Sequence, residues 1–140
     1  MKGLLSSLTA VTVSALLAVS ARAATEEPTS SAWQWLSLLD GGKYSESWAD
    51  GSALFRARIT ERSWESKVQI FRDAVGTIVW RDVLDVSTVA DPPDLPRGQY
   101  TVVHYQSRFT NQKVCQEKVF LMLEGGLWRV ATYDIKAPGH

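Results

Sequence analysis

His104, Gln106 and Arg108 alternate along one stretch of β-type sequence, and Glu117, Thr132 and Asp134 lie in the two stretches that follow. Residues two apart on a strand share a face, so antiparallel pairing can gather all six into one polar cluster. Two carboxylates held side by side repel each other. Either one of them keeps its proton, or a cation sits between them. In a water-poor pocket the first outcome makes Glu117 or Asp134 a general base or acid. The competing reading is structural: Arg108 and Lys136 neutralise both acids, and the cluster is the solvated end of a sheet. A metal site is the weaker option. His104 with Glu117 and Asp134 would supply one imidazole and two carboxylates, but the apolar Val119 is expected opposite His104. The expectation is therefore no metal, no cofactor and no assigned catalytic residue.

The cluster depends on strand register, which the turns set. Gly125-Gly126 suits a two-residue hairpin. It pairs Leu123 with Trp128, Leu121 with Val130, Val119 with Thr132 and Glu117 with Asp134. Taking Asn111-Gln112 as a second two-residue loop pairs Thr110 with Lys113. It further pairs Val102 with Leu121, His104 with Val119, Gln106 with Glu117 and Arg108 with Cys115. Directly opposite residues share a face. The face so defined is apolar at one end and polar at the other on all three strands, and is assigned to the helices. The opposite face carries Tyr105, Phe120 and Tyr133 around Lys118, a candidate partner surface or an ordinary scatter of surface aromatics.

The elements that position these strands come first in the chain. Ala32, Trp35, Leu36 and Leu39 follow a helical period, with Ser30 or Ser31 as cap and Gly41-Gly42 as stop. A second helix is expected over residues 43–57, bent or split at Asp50-Gly51. A third starts at the cap Thr60, presents Trp64, Val68, Phe71 and Val75 on one face, and ends at Gly76. Strands are expected at 77–86, 99–110, 114–124 and 127–136. The 87–98 stretch, with Pro92, Pro93 and Pro96, reads as a loop. The class is α+β: N-terminal helices packed on one face of a curved four-stranded antiparallel sheet, the cone shape of nuclear-transport-factor-2-like and cystatin-like folds.

Ahead of the domain lies a targeting pattern. Met1-Lys2 gives a positive start, residues 4–19 are mostly apolar, and Ala21-Arg22-Ala23 is a small-x-small cleavage site. The expected organisation is a signal peptide at 1–23, a disordered leader at 24–31, one domain at 32–136 and a tail at 137–140. The expected destination is the periplasm or the exterior, with no membrane span after cleavage. Cleavage removes Lys2 and Arg22 and leaves 13 basic against 15 acidic residues, a net charge of −2. That balance argues against nucleic acid, which needs a basic patch. With Cys115 as the only cysteine, no intrachain disulfide can form, and a buried, inert thiol is the simplest reading. The chain has no G-x-S-x-G, H-E-x-x-H or C-x-x-C motif, no phosphate loop, no dinucleotide fingerprint and no N-x-[ST] sequon.

Residues 35–136 resemble the bacterial family of domains of unknown function numbered 4019. The resemblance rests on Trp35-Leu36, Leu39-Asp40, Gly42-Lys43-Tyr44, Ser47-Trp48, Phe55-Arg56, Thr60 and Trp64. It continues in Gly98-Gln99-Tyr100-Thr101-Val102-Val103, Tyr105-Gln106-Ser107-Arg108-Phe109, Glu117-Lys118-Val119 and Trp128-Arg129-Val130. It implies an exported bacterial protein with helices before sheet, and it assigns no activity, substrate or catalytic residue. The functional expectation is a non-enzymatic module that binds a small ligand or a protein. The alternative is a small pocket enzyme using Glu117 or Asp134 as base. A third option is an assembly module dimerising through the Tyr105 and Tyr133 face. The oligomeric state is left open.

Overall fold

The computed structural model describes residues 27–112 and 114–137. The signal peptide, its cleavage site and most of the tail lie outside the described residues. Helix α1 (Pro28–Asp40) begins earlier than the serine caps suggested, with Pro28 in its first turn and no side-chain cap. The last residues of the expected leader are therefore helical. Its stripe of Ala32, Trp35, Leu36 and Leu39 is buried as the period requires. The expected second helix is two: α2 (Tyr44–Ala49) and α3 (Ala53–Arg58). The break falls at Gly51, where a Cβ would lie 2.4 Å from the Phe55 ring. Ser52 then caps α3 by accepting from the Phe55 amide at 3.1 Å, while its own amide donates to the Val130 carbonyl at 2.9 Å. That second bond ties the break to the sheet.

Helix α4 (Glu61–Val75) starts at Thr60, whose hydroxyl accepts from the Ser63 amide. Its buried stripe is Trp64, Val68, Arg72 and Val75, with Phe71 only half-buried. A guanidinium thus occupies a place on the apolar face. The sheet follows as β1 (Ile78–Ala90), β2 (Gln99–Phe109), β3 (Cys115–Glu124) and β4 (Leu127–Lys136), an antiparallel meander in the order β1-β2-β3-β4. Strand β1 runs four residues further than expected, so the proline loop covers only 91–98.

The helices pack on one face of the sheet. Trp35, Leu36, Leu39, Phe55, Trp64 and Val68 meet Val103, Tyr105, Val119, Leu121 and Val130 in a single core. Trp35 is its hub, with ring centroids 5.8 Å from Trp64 and 5.4 Å from Tyr133. Buried indoles need partners for their N–H groups, and Ser47 supplies two. Its carbonyl accepts from Trp35 Nε1 at 2.8 Å and its hydroxyl from Trp64 Nε1 at 2.9 Å.

Candidate functional site

The register corrects the expected grouping of polar residues. Strand β2 is displaced by one residue against β3, pairing Val103 with Val119, His104 with Lys118 and Tyr105 with Glu117. The cause is at the connection. The Thr110 amide donates to the Thr77 carbonyl and the Asn111 amide to the Val75 carbonyl, each at 2.9 Å. These bonds tie the connection to the end of α4 and the residue before β1, and the β2–β3 pairing ends at Ser107 with Cys115. Lys113, the expected partner of Thr110, lies outside the described residues. Between β3 and β4 the expected register holds from Glu124–Leu127 to Leu121–Val130. An irregularity then shifts it, so Glu117 pairs with Ile135 and Lys118 with Asp134.

A one-residue slip exchanges faces. Glu117 points under the helices, whereas His104, Gln106, Arg108, Thr132 and Asp134 share the outer face. Glu117 and Asp134 are not a facing carboxylate pair. Tyr105 and Tyr133 move inward, one buried and the other half-buried. Phe120 stays on the outer face and stacks on Tyr100. The three aromatics therefore do not form one partner surface.

Around Glu117 the elements converge. Strand β1 delivers Arg81, whose Nε donates to Glu117 Oε1 at 2.7 Å and whose Nη2 donates to Oε2 at 3.2 Å. The rest of the Arg81 fork reaches Asp40 at the end of α1, at 2.7 and 3.1 Å. Arg72 of α4 donates to the same Asp40 at 2.8 Å. Ser107 of β2 donates to Glu117 Oε1, and Tyr133 of β4 to Oε2. Two guanidiniums and two carboxylates balance in charge. The side chains of Arg81 and Glu117 are 2 % and 0 % exposed. An ionised carboxylate offers about four lone-pair sites, and Glu117 meets four donors. It has no acceptor site left for a substrate proton.

Burial, with the charges of this network second, shifts the neighbouring protonation equilibria. Burial alone would lower the Arg81 value, but hydrogen bonds to Asp40 and Glu117 raise it well above the usual range. Burial, then the charge of Glu117, lifts Tyr133 well above an ordinary tyrosine. Tyr105 is pushed up to about 12 by burial, against the lowering effect of Arg81. Its buried hydroxyl has no partner among the described residues, and neither do Nε and Nη2 of Arg72. The Arg72 guanidinium lies over the Phe109 ring at 5.0 Å, a contact that compensates part of that loss. Burial and the Glu117 charge also raise the Cys115 thiol, disfavouring the nucleophilic thiolate.

Of the other five candidates, His104 and Asp134 line a common depression on the outer face, and Gln106, Arg108 and Thr132 lie outside its lining. That depression, of about 110 Å³, is also lined by Leu84, Gln116, Lys118 and Lys136, and by Tyr105 and Glu117 of the inner face. Among the described residues no group of three His, Cys, Asp or Glu is placed to hold a metal ion. The polar outer face is open, and the ordered polar cluster is inside.

The family model described as "Protein of unknown function (DUF4019)" matches residues 31–133. The chain belongs to the DUF4019 family. No curated protein and no solved structure matches it. The family match spans every residue of the buried network of this DUF4019 domain: Asp40, Arg72, Arg81, Ser107, Glu117 and Tyr133. Of these, the sequence offered Glu117 as a polar-cluster candidate and Tyr133 as part of a partner surface on the opposite face. The missed signals are local. Arg81 directly follows the apolar run Ile78-Val79-Trp80, and Arg72 falls four residues after Val68 on the helical stripe.

Proposed function

We propose that this DUF4019 domain is an exported, non-enzymatic binding module that takes a polypeptide partner along the free edge of β1. The carrying observation is that residues 82–90 of this edge strand are exposed throughout. The helices lie over β2, β3 and β4. Val79, Val83, Leu84, Val86 and Val89 are between 41 and 54 % exposed, five of the eight large exposed hydrophobics among the described residues. An uncovered apolar edge offers unpaired N–H and C=O groups to another strand. Irregularities beside Val79 and Leu84 interrupt the ladder, which leaves the regular stretch from Asp85 to Ala90 as the pairing segment. The saturated Glu117 supports binding over catalysis, because it removes the one buried base candidate.

Export rests on the three-part pattern at residues 1–23. Mass spectrometry of the protein recovered from outside the cytoplasm should give Ala24 as its first residue, and an intact Met1 would refute cleavage. For the edge, a photocrosslinking residue at position 86 should give an adduct of defined mass in producing cells. The same probe at Ser66, on the exposed side of α4, is the control. Equal labelling from positions 86 and 66 would sink the proposal.

A further inference from the structure

At the end of the sheet away from the Glu117 network, the start of β4 meets α1 and the end of α2. A half-enclosed cavity of about 170 Å³ lies there, with Ser31, Gln34, Trp35, Asp50, Trp128 and Arg129 among its walls. It adjoins an open groove of about 570 Å³ that shares Gln34, Asp50 and Arg129 and continues past Glu46. The shared wall is an ion pair, Arg129 Nη1 to Asp50 Oδ1 at 2.6 Å, with both side chains part-exposed.

The chemistry of this wall is specific. Arg129 has five N–H donors and Asp50 only acceptors, and their mutual bond uses one of each. Gln34 adds an amide that both donates and accepts. Ser31 is 7 % exposed, and its buried hydroxyl has no partner among the described residues. A buried hydroxyl without a partner is costly, and this one belongs to a residue lining the cavity. Trp128, half-buried, supplies the aromatic part of the wall, while Trp35 is 1 % exposed and belongs to the core. A free anion would meet Asp50 and Glu46, and a free cation would meet Arg129. A neutral ring bearing hydroxyls avoids both penalties. Its hydroxyls donate to the carboxylate and accept from the guanidinium, while its C–H groups meet the part-exposed Trp128 indole.

We infer that this cavity is a saccharide-binding site that takes one pyranose ring, with the glycan chain continuing along the open groove. The enclosed part has the size for a single ring, and the adjoining groove has room for at least a second. The site is separate from the β1 edge, so failure of one assignment leaves the other standing.

The test is titration of the intact protein with two probes, cellobiose and the disaccharide of N-acetylglucosamine, followed by tryptophan fluorescence and amide NMR. Alanine serves as a zwitterionic control, since an Arg–Asp pair could also hold an amino acid. Saturable binding of either disaccharide is expected, with the largest shifts at the Gln34 side-chain amide and the Trp128 indole N–H. Asp50→Asn should weaken it by about tenfold through loss of the charged acceptor. Gln34→Ala, at an exposed helical position, should weaken it too without changing the melting temperature. No saturation by either disaccharide overturns the assignment. Saturation by alanine alone overturns the saccharide class. Saccharide binding unchanged in both variants, with the fold intact, overturns the location.

Discussion

Replacing Glu117 by Gln tests whether this carboxylate is a neutralising group or a reactive one. The side chain is fully buried and each oxygen accepts from two donors. An amide must put its NH2 where one of those oxygens was. On the Oε1 side it faces Arg81 Nε–H, and on the Oε2 side it faces Arg81 Nη2–H and the Tyr133 hydroxyl. Either orientation sets a donor against a guanidinium donor. The charge balance fails as well, since Asp40 alone then answers Arg72 and Arg81. Breaking a buried pair by removing one partner costs about 3–5 kcal/mol. A domain of this size has a total stability of about 5–15 kcal/mol.

The assay is urea unfolding followed by tryptophan fluorescence, which the Trp35 and Trp64 core makes sensitive. With a slope of about 1–3 kcal/mol per molar urea, Glu117→Gln should lower the midpoint by at least 1 M. The double variant Arg81→Met with Glu117→Leu removes both charges and fills the space with apolar groups. It should recover most of the loss, because a buried pair replaced as a unit is close to neutral. A loss below about 1 kcal/mol in Glu117→Gln would refute the reasoning. So would a double variant less stable than the single one.

Alkaline pH should destabilise the fold. Tyr105 is raised from 10.0 to about 12, so between these values the unfolded chain loses a proton that the native state keeps. Its contribution is complete below pH 10 and is lost as pH rises toward 12, by about 2–3 kcal/mol. Urea midpoints measured across that window should fall, and less steeply in Tyr105→Phe, whose missing hydroxyl had no partner among the described residues; a slope unchanged in that variant would exclude Tyr105 as the cause. Gly76→Ala should cost about 2–3 kcal/mol. Its φ is +84°, and the added Cβ would lie 2.1 Å from Thr110 Oγ1; a melting temperature within a degree of wild type would refute the clash.

The elements were legible in the sequence because each is fixed by local chemistry. The Thr60 cap, the Gly41-Gly42 stop and the Gly125-Gly126 hairpin all stand where residue types place them. The register of β2 was not legible, because it depends on what the 110–112 connection touches. Its amides bind the Thr77 and Val75 carbonyls, and no alternation pattern in β2 carries that information. Both faces of β2 are apolar at its start, where residues 100–103 are all buried. Hydrophobic alternation therefore gave no veto against the wrong register.

That ambiguity decided where the polar cluster was expected. Glu117 and its strand were on the correct face, but their neighbours from β2 and the second half of β4 were exchanged for their opposites. The true partners came instead from side chains that a face-by-face reading treats as exceptions: Arg72 on an apolar helical stripe and Arg81 after the apolar start of β1. A charged residue at an apolar-period position must find an opposite charge inside. Two such arginines in one small domain demand two acids, and Asp40 and Glu117 are the two they reach. The network joins α1, α4 and all four strands through ion pairs and hydroxyls. Its location at the helix–sheet seam makes it a fastener of the fold, and the two proposed recognition surfaces, the β1 edge and the groove beside Arg129, lie outside it.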